Sequence, residues 1–162
     1  MSLQYIIDGY NIANHALISC PGNRKNIQPY SFLASFIISK RLTGSSQNKV
    51  AIVFDGYPIR GYSIPEAKNL EIIFSRRITA DEKIKQIVES LGNRHNLIVV
   101  SNDRQLQFAV KALGSRFISI EEFVGRQEEK RRQDAQEAIK PELNFTQIEQ
   151  INRELRKLWL KE

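Results

Sequence analysis

The sequence predicts an α/β fold organised on a mainly parallel sheet. Three observations lead there: five short β-rich runs, helical periodicity between most of them, and Gly or polar breaks at the joins. The strands fall at Tyr5–Ile7, Val50–Phe54, Leu70–Phe74, Leu97–Val100 and Phe117–Ile120. Most are continuously apolar, as strands covered on both faces are.

The first crossover helix is marked by Phe32, Leu33, Phe36, Ile37 and Leu42 at near-helical spacing, and it stops before Gly44-Ser45-Ser46. After the third strand, Thr79 and Glu82 form a capping box, with Ile84, Ile87, Val88 and Leu91 as the buried stripe and Gly92 as the stop. After the fourth strand, Ser101 or Asn102 is placed to cap a helix whose apolar face is Leu106, Ala109, Val110 and Leu113, ending at Gly114. The stretch from Gly56 to Asn69 holds Pro58, Gly61 and Pro65 and reads as a loop.

From Gly125 the chain becomes mixed in charge, as an exposed helix is, and Pro141 interrupts it. A second capping box, Thr146 with Glu149, opens a helix with Ile148, Ile151, Leu155, Leu158 and Trp159 on one face. Packing on the protein's own core is the favoured role for that face, over a partner's groove. The expected organisation is one α/β domain over residues 1–124 and a helical extension over 125–162.

At 162 residues and 41% apolar composition the chain suits one packed globular domain with an appendage. A single cysteine, Cys20, makes no internal disulfide, and no leader pattern or membrane-length apolar run is visible, so a cytoplasmic protein is expected. The net charge of +6 favours polyanionic partners. Residues 1–125 carry 15 Lys and Arg against 10 Asp and Glu, whereas 126–162 carry 9 against 8, so the basicity belongs to the α/β part.

Ligands of open α/β sheets bind beyond the carboxyl ends of the strands. Those positions here are acidic: Asp8 follows strand one, Asp55 strand two and Asp103 strand four, while Asp81 opens the helix after strand three. Clustered carboxylates raise one another's pKa unless a cation compensates, and a hard divalent ion such as Mg²⁺ or Mn²⁺ is the natural one. Zinc is poorly served by one Cys with His15 and His95 far apart in sequence. Each aspartate taken singly has a structural role to weigh against metal binding. Asp81 and Asp103 meet helix dipoles, and Asp8 and Asp55 precede glycines as turn residues do. Convergence of four on one rim of a basic domain favours the metal. Removing them leaves 15 basic residues against 6 acidic ones, an acidic hole in a basic field that suits a metal-dependent nuclease.

Other chemistries lose support. The position two residues after Asp8 is Tyr10 where a haloacid-dehalogenase phosphatase has a second aspartate, and the sequence has no P-loop, no G-x-G-x-x-G turn and no G-x-S-x-G elbow.

Taken together, Asp8-Gly9-Tyr10-Asn11, Val53-Phe54-Asp55, Thr79-Ala80-Asp81 and Val99-Val100-Ser101-Asn102-Asp103-Arg104 resemble the YacP-like branch of NYN domains in the PIN-like nuclease superfamily. The resemblance spans roughly residues 3–124. It implies strand order 3-2-1-4-5 and a Mg²⁺- or Mn²⁺-dependent endoribonuclease acting on single-stranded RNA. It also implies Asp8, Asp81 and Asp103 as metal ligands, with Asp55 nearby as a ligand or water-orienting group. Relatives cut mRNA in association with ribosomes, which makes mRNA and the ribosome the expected partners.

Further residues are placed to complete such a site. Asn11 either orients Asp8 or binds a phosphate, against an equal expectation that it caps the following segment. Thr79 is structural first, through its box, and its neighbourhood also faces substrate. Ser101 and Arg104 bracket the Asp103 corner, Arg104 reaching a phosphate or a neighbouring acid. Arg76 and Arg77 point to phosphate positioning after strand three. Tyr57, Arg60 and Tyr62 form a loop suited to stacking unpaired bases, or to ordinary loop packing. Glu121 and Glu122 are a further acidic pair, placed equally to begin the last helix. His15, His95 and Cys20 have no partner that the sequence reveals. The expected reaction uses water as nucleophile and leaves 5′-phosphate and 3′-hydroxyl ends. A non-catalytic RNA- or ribosome-binding module and a DNA nuclease are the alternatives.

Overall fold

A computed structural model describes residues 2–18, 29–58, 67–139, 149–150 and 152–156. The chain divides into two compact units, Met1–Glu128 and Glu129–Glu162. The first unit holds a five-stranded sheet in the order β3-β2-β1-β4-β5, with every pair parallel. Its strands are β1 (Gln4–Asp8), β2 (Lys49–Phe54), β3 (Leu70–Phe74), β4 (Leu97–Val100) and β5 (Arg116–Ile118). The helices are α1 (Gly9–Ala13), α2 (Pro29–Lys40), α3 (Ala80–Ser90), α4 (Arg104–Ala112) and α5 (Ile120–Ile139), the last running past the first unit's boundary. The expected α/β class and strand order both hold.

Alternation along the strands explains the layers. Tyr5, Ile7, Val50, Ile52, Phe54, Ile98 and Val100 point to one face, where they pack with Ile12, Leu33, Ile37 and Phe123 from α1, α2 and α5. Ile6, Val53, Leu97 and Val99 point to the other, against Ile84 and Val88 of α3 and Leu106 and Val110 of α4. Central strands buried on both faces leave polar function only at their ends.

Three expectations need correction, and one element is new. Strand five ends at Ile118, not Ile120, because Ser119 turns the chain: its hydroxyl accepts the Glu122 N–H at 3.1 Å and Ile120 begins α5. The cap of α4 is Asp103 itself, not Ser101 or Asn102. Helix α3 ends by Leu91 turning extended (φ −85°, ψ 127°), without a left-handed Gly92. The five-residue α1 was not foreseen, being too short to show periodicity.

The capping box of Thr79 with Glu82 is present in both directions, and Gly114 takes φ +81° after α4 as a helix-ending glycine does. At the end of α2, Arg41 fills the left-handed position at φ 50° that glycine commonly takes, with Leu42 N–H closing back on the Ile37 carbonyl at 3.1 Å. In the second unit, residues 149–150 and 152–156 are helical and Leu155 is half exposed. Ile148, Ile151, Leu158 and Trp159 of the expected stripe, with Pro141 and Thr146, lie outside the described residues.

Candidate active site

The parallel sheet delivers its carboxyl ends to one rim, and the local sequence at each end does the rest. Asp8 closes β1, opposite Val53 of β2 and just beyond the Ile7–Val100 pairing with β4. It is also the N-cap of α1, its Oδ1 accepting the Asn11 N–H at 3.2 Å. Its Oδ2 accepts the Ser101 hydroxyl at 3.1 Å. That hydroxyl oxygen in turn accepts the Asp103 N–H at 3.2 Å. Ser101 is fully buried, so it joins the two aspartates and does not itself face a ligand.

Asp103 caps α4, its Oδ1 accepting from the N–H groups of Gln105 at 2.7 Å and Leu106 at 2.9 Å. Asp55, exposed after β2, accepts the Ala80 N–H at 2.6 Å and so ties the start of α3 to the sheet. This contact brings Asp81, the second residue of α3, to the same rim.

Electrostatics confirm the proximity. Burial pushes the Asp8 carboxyl above its ordinary pKa; hydrogen bonds from Asn11 and Ser101 oppose the shift, while the charges of Asp81 and Asp55 add to it. Asp81 is also raised, first by burial and then by Asp103, with Lys85 opposing and Asp55 adding. Asp81 is therefore within the fields of Asp55 and Asp103, and Asp8 within those of Asp55 and Asp81.

The donor chemistry fits a hard divalent cation: oxygen ligands with excess negative charge, and no ion pair to any of the four among the described residues. The coordination is not preformed, since no three Asp, Glu, His or Cys side chains among the described residues stand at metal-holding spacing. Asp55 and Asp103 each commit an oxygen to backbone N–H groups.

The remaining predicted residues divide in two. Asn11 anchors structure: its side-chain oxygen accepts the Asn102 N–H at 3.0 Å, fastening the turn after β1 to the turn after β4. Thr79 caps α3. Arg76, Arg77, Arg104 and Tyr57 are exposed, and none of the three arginines forms an ion pair among the described residues. Arg76 holds φ 63°, with its N–H on the Gly56 carbonyl at 2.8 Å. Arg60 and Tyr62 lie outside the described residues.

Sequence reasoning missed a hub at Asn102. Its Oδ1 accepts the Ile120 N–H at 2.9 Å, and its Nδ2 donates at 3.0 Å to Glu121 Oε1. That same oxygen lies 2.8 Å from His15 Nε2, so His15 does have a partner, 106 residues away. The backbone N–H of Glu121 and further hydrogen bonds from Asn102, Ser119 and His15 hold its carboxyl down at about 2. Glu121 is thus a fixed anion in the first turn of α5, and Glu122 pairs with Arg126. The one local signal was the unbroken polar run Ser101-Asn102-Asp103.

Comparison with known proteins identifies the family and the fold. The family model of the YacP-like NYN domain matches residues 5–161, extending over the C-terminal segment as well as the α/β unit. The crystal structure of Rae1 (YacP) from Bacillus subtilis is similar at 23% identity and TM-score 0.59, covering 98% of this chain and 92% of that one. Its W164L mutant is similar at 24% identity and TM-score 0.56, covering 93% and 90%. These likenesses show the shared fold. No curated protein matches in sequence.

Proposed function

The chain belongs to the YacP-like NYN domain family of PIN-like nuclease domains, and on that premise we propose that it is a metal-dependent endoribonuclease hydrolysing single-stranded RNA. The observation that carries the reading is the gathering of Asp8, Asp55, Asp81 and Asp103 at the carboxyl ends of the parallel strands, where burial and neighbouring aspartates push the Asp8 and Asp81 carboxyls up. A domain keeps so unfavourable an arrangement where a bound cation meets the charge. Asp8, Asp81 and Asp103 would hold Mg²⁺ or Mn²⁺, which when bound supplies Lewis acidity at the phosphodiester and the means to activate water. Asp55 would serve as a further ligand or orient the attacking water.

The chain's own residues do the positioning. Ser101 and Asn11 hold Asp8 and the neighbouring turn in place. Arg76, Arg77 and Arg104 are free to meet phosphate oxygens, and Tyr57, with Arg60 and Tyr62 of the same loop, to meet bases and backbone. In-line attack by water expels the 3′-oxygen and leaves 5′-phosphate ends. We place this chemistry in residues 1–124, with 125–162 as a helical extension. We further propose mRNA at the ribosome, in the cytoplasm, as the setting. No described helix is long and apolar enough to cross a membrane.

The test is incubation of labelled single-stranded RNA and DNA with wild type, Asp8→Asn and Asp103→Asn, with and without Mn²⁺. Mn²⁺-dependent cleavage of RNA, lost in both variants, is expected. Equal cleavage of DNA would reassign the substrate. The unformed coordination shell favours one second reading, a non-catalytic RNA-binding module. Wild type that binds RNA, never cuts it and is matched in binding by both variants would establish that module.

A further inference from the structure

Helix α4 begins at the aspartate rim and carries an aromatic ring where amphipathic periodicity calls for a polar side chain. Leu106 and Val110 are its buried residues, and Phe108 lies about 200° around the helix from both. Phe108 is 74% exposed, more than any other large apolar side chain among the described residues. Its neighbours on that face, at i−4 and i+3, are Arg104 and Lys111, both exposed and neither in an ion pair among the described residues. The nine residues RQLQFAVKA contain no acid, so nothing on the helix neutralises this face.

We propose that α4 carries a nucleotide subsite, in which the base one nucleotide along from the scissile phosphate stacks on Phe108 while Arg104 and Lys111 hold the flanking phosphates. The proposal rests on the nuclease reading and assigns part of its substrate path. Phe108 follows Asp103 by five residues, about 7.5 Å along the axis and about 140° around it, a separation on the scale of one extended nucleotide from phosphate to base. Helical side chains lean toward the N-terminus, which tilts the ring toward Asp103. A ring between two cations is the composition of a stacking platform for unpaired bases, whereas a duplex keeps its base faces covered. Charge complementarity and continuity with the aspartate rim favour this occupant over an apolar protein surface.

The experiment measures affinity of the full-length protein for a short labelled oligouridylate by fluorescence anisotropy, alongside Mn²⁺-dependent cleavage. Phe108→Ala is expected to weaken binding about 5- to 100-fold, and Phe108→Trp to retain it. Lys111→Ala should lower the slope of log affinity against log salt by about one phosphate contact. An abasic nucleotide beside the cleaved bond should weaken binding to wild type and have little added effect in Phe108→Ala, the non-additivity of a direct contact. Because Phe108 is exposed, Phe108→Ala should melt as wild type does.

Unchanged affinity in Phe108→Ala, with wild type still cutting RNA, overturns the subsite and leaves the nuclease reading intact. Phe108-dependent binding by a wild type that never cuts RNA overturns the nuclease reading instead. Unchanged RNA affinity with an altered oligomeric state would assign the ring to self-association and also overturn the subsite.

Discussion

Replacing Gly9 with alanine tests why the residue after Asp8 is glycine. Its backbone is not left-handed: among the described glycines, positive φ occurs at Gly44, Gly56 and Gly114. The constraint is space. A Cβ on Gly9 would stand 2.5, 2.6 and 2.7 Å from Cε1, Cδ1 and Cζ of Phe54, where ordinary contact begins near 3.4 Å. The ring would have to retreat by about 1 Å, yet it is fully buried and hemmed in by Tyr10, Tyr30 and Phe74 at centroid distances of 5.2, 5.9 and 6.2 Å. Overpacking of this kind costs about 1–3 kcal/mol, and with three contacts at once the upper half of that range applies. For a chain of this length that lowers Tm by about 5–10 °C. Thermal denaturation followed by circular dichroism reads it. Phe54→Leu in the Gly9→Ala background should recover part of the loss, because it vacates the contested space. An alanine variant melting with wild type, or a double variant showing simple additivity, would refute the steric explanation.

Other perturbations reach the rim. The raised pKa values of Asp8 and Asp81 fix a sign: their contribution to metal-free stability is fully present below the unfolded carboxylate pKa and is lost as pH rises through the folded values. Asp8→Asn should therefore stabilise the metal-free protein at neutral pH and flatten the pH dependence in urea unfolding, while abolishing cleavage. Ser101→Ala removes a donor that holds the Asp8 carboxyl down and an acceptor for the Asp103 N–H, so it should cost about 1–3 kcal/mol. The acidic limb of its pH–rate profile should move to higher pH, measured by single-turnover cleavage across pH. Arg76→Gly relieves a left-handed backbone and should raise stability by about 1 kcal/mol in thermal melts, yet weaken RNA binding and its salt dependence.

What the sequence made legible follows its periodicities. Central strands such as Val50–Phe54 and Leu97–Val100 are apolar throughout, and the Thr79–Glu82 box marks a helix start within four residues, so these elements agree with the structure. The aspartates were locatable because each follows a strand or begins a helix whose position was already clear. What stayed hidden depends on contacts distant in the chain. Ser101 joins Asp8 across 93 residues, and His15 meets Glu121 across 106; no local pattern encodes either. Asp103 outcompeted Ser101 and Asn102 as the α4 cap for the same reason, since both neighbours are engaged by distant groups. Phe108 escaped notice because it falls outside the apolar stripe, and only its exposure in the fold makes it conspicuous.

The account depends on negative side chains from four separated stretches converging to bind one kind of ion. Equilibrium titration of the metal-free protein with Mn²⁺, followed by electron paramagnetic resonance, tests that directly. Saturable binding by wild type, weakened at least tenfold in Asp8→Asn and in Asp81→Asn while both variants remain folded, is the expected result. Mn²⁺ uptake indistinguishable among the three proteins would contradict it.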